Sequence, residues 1–193
     1  MGRKGLKVLA LVALSMALTL PVWAQGGRST NTRLRAFEEV PAISSQGDGR
    51  FTAQLNGGET SLSYELDYSR MQGTVAQAHI HIAQKGVNGG IMIFLCSNLG
   101  NGPAGTQACP PSPGSISGTV DAGDVLAVNA QGIAPGEFAE VVRAMRNGVT
   151  YVNVHTDLFP GGEIRGQLRF GRGSSGDVIL EGFEDEELEG HHH

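Results

Sequence analysis

Ser61-Leu62-Ser63-Tyr64-Glu65-Leu66-Asp67-Tyr68 alternates polar and apolar side chains without a break. Successive side chains of a β-strand point to opposite faces. The stretch therefore predicts a strand with Leu62, Tyr64, Leu66 and Tyr68 in a core and Ser63, Glu65 and Asp67 in water. Just upstream, Phe51, Ala53 and Leu55 alternate with polar residues in the same way. Asn56-Gly57-Gly58 between the two runs predicts a hairpin turn, because these residues accept positive φ at little cost. Working outward, a first strand is expected over 33–40, closed by Pro41, and others over 75–83, 91–96, 115–121, 149–156 and 163–170. One helix is expected over 135–147. Pro135 lies in its first turn, Asn147-Gly148 ends it, and Phe138, Val141, Val142 and Met145 form one apolar stripe. Short strands and 29 glycines indicate an all-β protein, an antiparallel β-sandwich or Greek-key barrel with one short helix.

The two ends read differently from this body. Arg3, Lys4 and Lys7 precede an apolar run from Val8 to Leu20, followed by Pro21 and by Ala24 before Gln25. Positive start, apolar middle and small residue before the cut predict a signal peptide over 1–24. The apolar run is too short for a bilayer span, which needs about 20 residues, and no other run is long enough, so no transmembrane span is expected in the mature form. Residues 25–32 read as a linker, 33–170 as the domain, and 171–193 as an acidic tail expected to be disordered. The tail ends in His191-His192-His193, a natural ending or the trace of a purification tag, and is set aside from every site argument. Without Arg3, Lys4 and Lys7, eleven basic residues stand against 19 acidic ones, a net charge of −8. Such a surface repels nucleic acid and anionic lipid. Export implies a secreted or periplasmic protein. In that compartment the only two cysteines, Cys96 and Cys109, are expected to form a disulfide across the Gly/Pro-rich loop between them. That loop holds Gly100-Asn101-Gly102-Pro103-Ala104-Gly105, formally a GxGxxG, but no helix follows and a proline sits inside, so it is not a nucleotide site.

Chemistry concentrates on three histidines. In Gln77-Ala78-His79-Ile80-His81-Ile82 the apolar residues take one strand face, and Gln77, His79 and His81 share the other. In Tyr151-Val152-Asn153-Val154-His155 the same alternation puts Tyr151, Asn153 and His155 together on one face, with Val152 and Val154 on the other. A short turn joins this strand to the last one, so Glu163 is expected close to His155 across a hairpin. Imidazoles two positions apart on a strand are spaced to converge on one ion, and imidazole suits copper, zinc, iron and nickel. The plainer alternative is that His-x-His is only the wet face of an antiparallel strand. Glu38-Glu39 is no catalytic pair, because adjacent strand residues face opposite ways. No Gly-x-Ser-x-Gly elbow, His-Glu-x-x-His or EF-hand loop occurs.

Four stretches carry a family resemblance. They are Leu34-Arg35-Ala36-Phe37-Glu38-Glu39-Val40-Pro41; Ala78-His79-Ile80-His81 with Gly86-Val87-Asn88-Gly89; Phe94 to Gly105 through Cys109-Pro110; and Tyr151-Val152-Asn153-Val154-His155-Thr156 through Phe159-Pro160-Gly161-Gly162-Glu163-Ile164-Arg165-Gly166-Gln167. In order and spacing the chain resembles the CHRD domain, named for chordin and widespread in exported bacterial proteins. It departs at Ala83, where the family often has Gly, and at Ala42, which replaces a second Pro. The resemblance implies an antiparallel β-sandwich, and in animals the domain sits in a secreted binding protein of a growth-factor pathway. The His-x-His strand is also similar, more distantly, to the copper-ligand strand of Cu,Zn superoxide dismutases, whose dinuclear site uses more histidines than three.

The reading that results is an exported domain binding one copper or zinc ion through His79, His81 and His155. Glu163 and Glu39 would serve as oxygen ligands or as acceptors that orient an imidazole. The alternatives are a metal-free structural or interaction module with a protein partner in the cell envelope or matrix, and a copper redox enzyme. No catalytic residue is assigned, and a binding role is favoured over an enzyme.

Overall fold

A computed structural model of the chain describes residues 29–170. The expected signal peptide and acidic tail lie outside the described residues, as do residues 25–28 of the expected linker. No helix among the described residues is long and apolar enough to cross a membrane.

Eight strands form one antiparallel sheet: β1 (Ser29–Arg35), β2 (Asp48–Leu55), β3 (Ser61–Ser69), β4 (Val75–Ile82), β5 (Gly90–Ser97), β6 (Gly114–Asp121), β7 (Thr150–Thr156) and β8 (Ile164–Gln167). Their order across the sheet is β5-β4-β7-β8-β1-β2-β3-β6. The sheet curls into a nearly closed barrel, so the two layers of a sandwich are here two sides of one continuous sheet. At the seam, the Tyr64 hydroxyl donates to the Leu95 carbonyl at 3.1 Å. The Gln107 amide reaches the carbonyls of Leu95 at 3.2 Å and of Ser117 at 3.3 Å, tying β5 to β6.

The alternation of β3 holds along its length. Leu62, Tyr64, Leu66 and Tyr68 are buried, while Ser63, Glu65 and Asp67 are exposed. α1 (Phe138–Arg146) packs Phe138, Val141, Val142 and Met145 into the core and turns Arg143 and Arg146 outward. It starts three residues later than Pro135, because Gly136 takes φ +82° and the Glu137 carboxylate accepts the Ala134 N–H before the helix begins. Two further expectations are corrected at the start of the chain. β1 begins at Ser29, inside the expected linker, and pairs with β2 from Ser29 to Arg35. It stops at Arg35, where Ala36–Glu38 turns into a 3-10 helix. In the β2–β3 hairpin the positive φ falls on Glu59 and not on the glycines, because the Asn56 side chain caps the amides of Thr60 and Ser61.

Cys96 and Cys109 are bonded to each other, with Cα atoms 5.1 Å apart. Asn98 reinforces the bridge by accepting the Cys109 N–H and donating to the Cys109 and Val75 carbonyls.

Leu66 has no exposed surface and lies between β2 and β6, so Leu66→Ala is expected to cost about 2–5 kcal/mol in urea unfolding. Its exposed neighbour Glu65→Ala is expected to stay within about 0.5 kcal/mol of wild type. Equal losses at the two positions would show that the alternation does not separate a core face from a wet one.

Candidate metal centre

β4, β7 and β8 differ from β3 because both of their faces are covered. Ala78, Ile80, Val152 and Val154 line the core, and on the opposite face His79, His81, Tyr151, Asn153, His155 and Arg165 are also buried. Register places His79 beside Asn153, His81 beside Tyr151 and Gln77 beside His155. The cover comes from the segments around Glu38–Val40, Lys85–Gly89 and Pro160. Lys85 pairs with Glu38 at 3.0 Å, and the Asn88 amide donates to the Val40 carbonyl at 2.8 Å.

The three histidines come together. They are between 0 and 6 % exposed, and one ring nitrogen from each lies within 4.8 Å of the others. His155 Nδ1 faces the Pro160 carbonyl at 3.0 Å, and His81 Nδ1 faces the Gly89 carbonyl at 3.0 Å. A carbonyl only accepts, so both rings carry their proton on Nδ1 and present a bare Nε2. His155 Nε2 lies 3.2 Å from His79 Nδ1, which therefore donates, leaving His79 Nε2 bare as well. His79 Nε2 and His81 Nε2 are buried, and neither has a hydrogen-bond partner among the described residues. The rings are boxed in by apolar and aromatic neighbours: Phe94 edge-on to His79 at 4.2 Å, and Tyr151 stacked on His81 at 4.7 Å.

Burial holds all three rings neutral. Burial pushes His79 down to about 2, with His155 and His81 adding to it, and pushes His81 down to about 4 against the Gly89 carbonyl, with His155 and Arg165 adding to it. His155 is lowered for the same first reason, against the opposing pull of the Pro160 carbonyl. Neutral, lone-pair-bearing imidazoles are the form that binds metal.

The two carboxylates lie apart from this group. Glu163 is fully buried, and its oxygens accept from Ser45 Oγ at 2.6 Å, Gln72 N–H at 2.7 Å, Gly73 N–H at 3.3 Å and Thr156 Oγ1 at 2.9 Å. It clamps two loops to the end of β7. Glu39 accepts from the Asn153 amide at 2.6 Å. Burial pushes its carboxyl up to about 8, against the lowering effects of Arg165 and Asn153. Sequence reasoning placed Tyr151 and Asn153 on the histidine face, and it put Arg165 on the polar face of the last strand and Asn88 and Gly89 in a motif without giving these three a role. A signal was available: the polar positions of β4 carry only Gln and His, whereas the wet face of β3 carries Glu65 and Asp67.

Residues 30–168 match the CHRD domain. The chain belongs to the CHRD-domain family. No curated protein matches it, and no solved structure does. Within this CHRD domain the matched span contains all three histidines, both cysteines, Glu39 and Glu163.

A carboxyl that ionises less readily folded than unfolded favours folding in its protonated form. Glu39 therefore contributes stability that is full below about pH 4.5 and is lost as pH rises toward about 8. Glu39→Gln keeps the shape and removes the titration. The variant is expected to gain on wild type steadily between pH 5 and pH 8 in paired thermal melts. A difference that does not change with pH would show that Glu39 is ionised throughout.

Proposed function

We propose that this CHRD domain is an exported module that holds one copper or zinc ion through His79, His81 and His155. The observation that carries the reading is the pair of buried, partnerless lone pairs on His79 Nε2 and His81 Nε2. Buried polar atoms are nearly always satisfied, and a bare acceptor inside a protein costs about 1–3 kcal/mol. A cation supplies the missing partner. One nitrogen of each ring lies within 4.8 Å of the others, against the roughly 3.3 Å that separates two nitrogens bonded to one ion at about 2.0–2.1 Å, so the three rings need to draw together to share an ion. Gly89 and Pro160 act as the acceptors that orient ligand rings, the role the sequence had given to the carboxylates. The bonded cysteines support a destination outside the cytoplasm.

A metal-free interaction module is the second reading, favoured by the exposed Phe37, Val87, Leu99 and Leu158 on the loops. A redox enzyme resembling superoxide dismutase is less well supported, because the group has three histidines and no fourth ligand among the described residues.

Elemental analysis of the chain with His191, His192 and His193 replaced by Ala is expected to find one ion per molecule. Metal at about 100 times its Kd is expected to stabilise the fold by about 2.7 kcal/mol. His79→Ala, His81→Ala and His155→Ala are each expected to remove that gain. Metal uptake that survives all three substitutions would refute the site and leave the interaction module.

A further inference from the structure

We propose that the three-histidine centre selects monovalent copper, Cu(I), over divalent ions. The inference rests on the three-histidine reading and adds which ionic charge the centre tolerates.

The donors come first. Three neutral imidazoles leave a bound cation with its whole charge, and no Asp, Glu or Cys joins the group among the described residues. The two buried acids nearby are committed elsewhere, Glu163 to four donors and Glu39 to Asn153. The cost of burying an ion rises with the square of its charge, so the same closed pocket penalises a divalent ion far more than a monovalent one.

A fixed positive charge adds to this. The Arg165 guanidinium lies 3.4 Å over the Tyr151 ring, and that ring stacks on His81 at 4.7 Å with an interplanar angle of 6°. Two planes at these distances cannot share one ring face, so Tyr151 is sandwiched between Arg165 and a ligand ring. Arg165 is held there by Asn88 Oδ1 at 3.0 Å and the Val87 carbonyl at 2.7 Å. Its repulsion of a bound ion doubles when the ion is divalent.

Coordination number points the same way. Zinc on three histidines must add a water as its fourth ligand and Cu(II) favours a tetragonal set, whereas Cu(I) is satisfied by three nitrogens alone. The described residues offer three, and Phe94 walls one side of His79. Among divalent ions Cu(II) binds most nitrogen sites hardest, so it is the demanding competitor.

The test uses the full chain with His191, His192 and His193 replaced by Ala. Cu(I) is titrated anaerobically against bathocuproine disulfonate, and Zn(II) and Cu(II) against chromophoric chelators. One Cu(I) per chain is expected, held at least about 100-fold tighter than either divalent ion. Gln77 is only partly buried and shares the strand face of His79. Gln77 pairs with His155 in register and its Oε1 accepts from the exposed Asn101 amide, so Gln77→Glu sets a carboxylate at the edge of the site without disturbing the core, and it is expected to narrow the preference at least about tenfold. Zn(II) or Cu(II) bound as tightly as Cu(I) would overturn the selectivity and leave the three-histidine reading standing. An unchanged preference in Gln77→Glu would overturn the charge argument. A chain that retains no ion at all would overturn the reading and the selectivity together.

Discussion

On three neighbouring strands, β4, β7 and β8, the polar face of the sheet is shut away from water, and the segments that cover it must satisfy its polar groups. β4 and β7 already have the core on one side, and every residue of β7 is buried. Covering the second side removes water from histidines, an asparagine, a tyrosine and an arginine at once, and each lost water must be replaced from inside. The covering loops do this largely with main-chain carbonyls. Gly89 and Pro160 serve the histidines, Val87 serves Arg165 and Ile164 takes the second Asn153 contact at 3.4 Å. A main-chain carbonyl cannot lose its acceptor character with pH, so the histidine tautomers are set by the fold and not by the solvent.

Bringing main chain this close to strands limits which residues can occupy the loops. A Cβ at Gly89 would stand 1.8 Å from the Ile82 carbonyl oxygen, so any side chain there would push the loop off His81 and Tyr151. Gly162 has φ +126°, and a Cβ there would sit 2.4 Å from Asn153 Nδ2 and 2.7 Å from Glu39 Oε1. Both glycines are required by close approach to the site, and Gly162 by backbone conformation as well. Glu163, next in the chain, anchors the same turn by drawing the amides of Gln72 and Gly73 onto its carboxylate.

What the sequence revealed follows from which interactions are local. Strand alternation is a local property, so β3 could be read residue by residue and the histidines assigned to polar faces. Register between β4 and β7 is not local. Alternation says that His79 and His155 are on polar faces, but only the crossover order of the sheet makes those faces one face. Whether a polar face is wet depends on loops that fold back over it, and alternation carries no information on that. Glu163 shows the limit clearly. Its position beside the β7–β8 turn was legible, but its hydrogen bonds go to Ser45, Gln72 and Gly73, which only the folded chain brings near. The start of β1 was misplaced for a similar reason. Ser29 to Thr32 is polar and has no alternation of its own, and it becomes a strand by pairing with β2.

The buried face is also divided by charge, and Asn153 marks the division. Register runs His79 to Asn153 to Arg165 across β4, β7 and β8. On one side of Asn153 the groups are neutral imidazoles. On the other are Arg165, Glu39 and Glu163, which influence one another electrostatically. An amide is suited to this boundary because it donates to Glu39 without adding charge. An aspartate would set a second acceptor against the Glu39 oxygen it now binds, and a lysine would bring a cation to the histidines. A leucine would leave Glu39 without its 2.6 Å donor in a place where water cannot replace it. Asn153 was placed on the histidine face by alternation alone. Its function depends on three strands meeting in one register, so the tertiary structure, and not the local sequence, explains why an asparagine stands there.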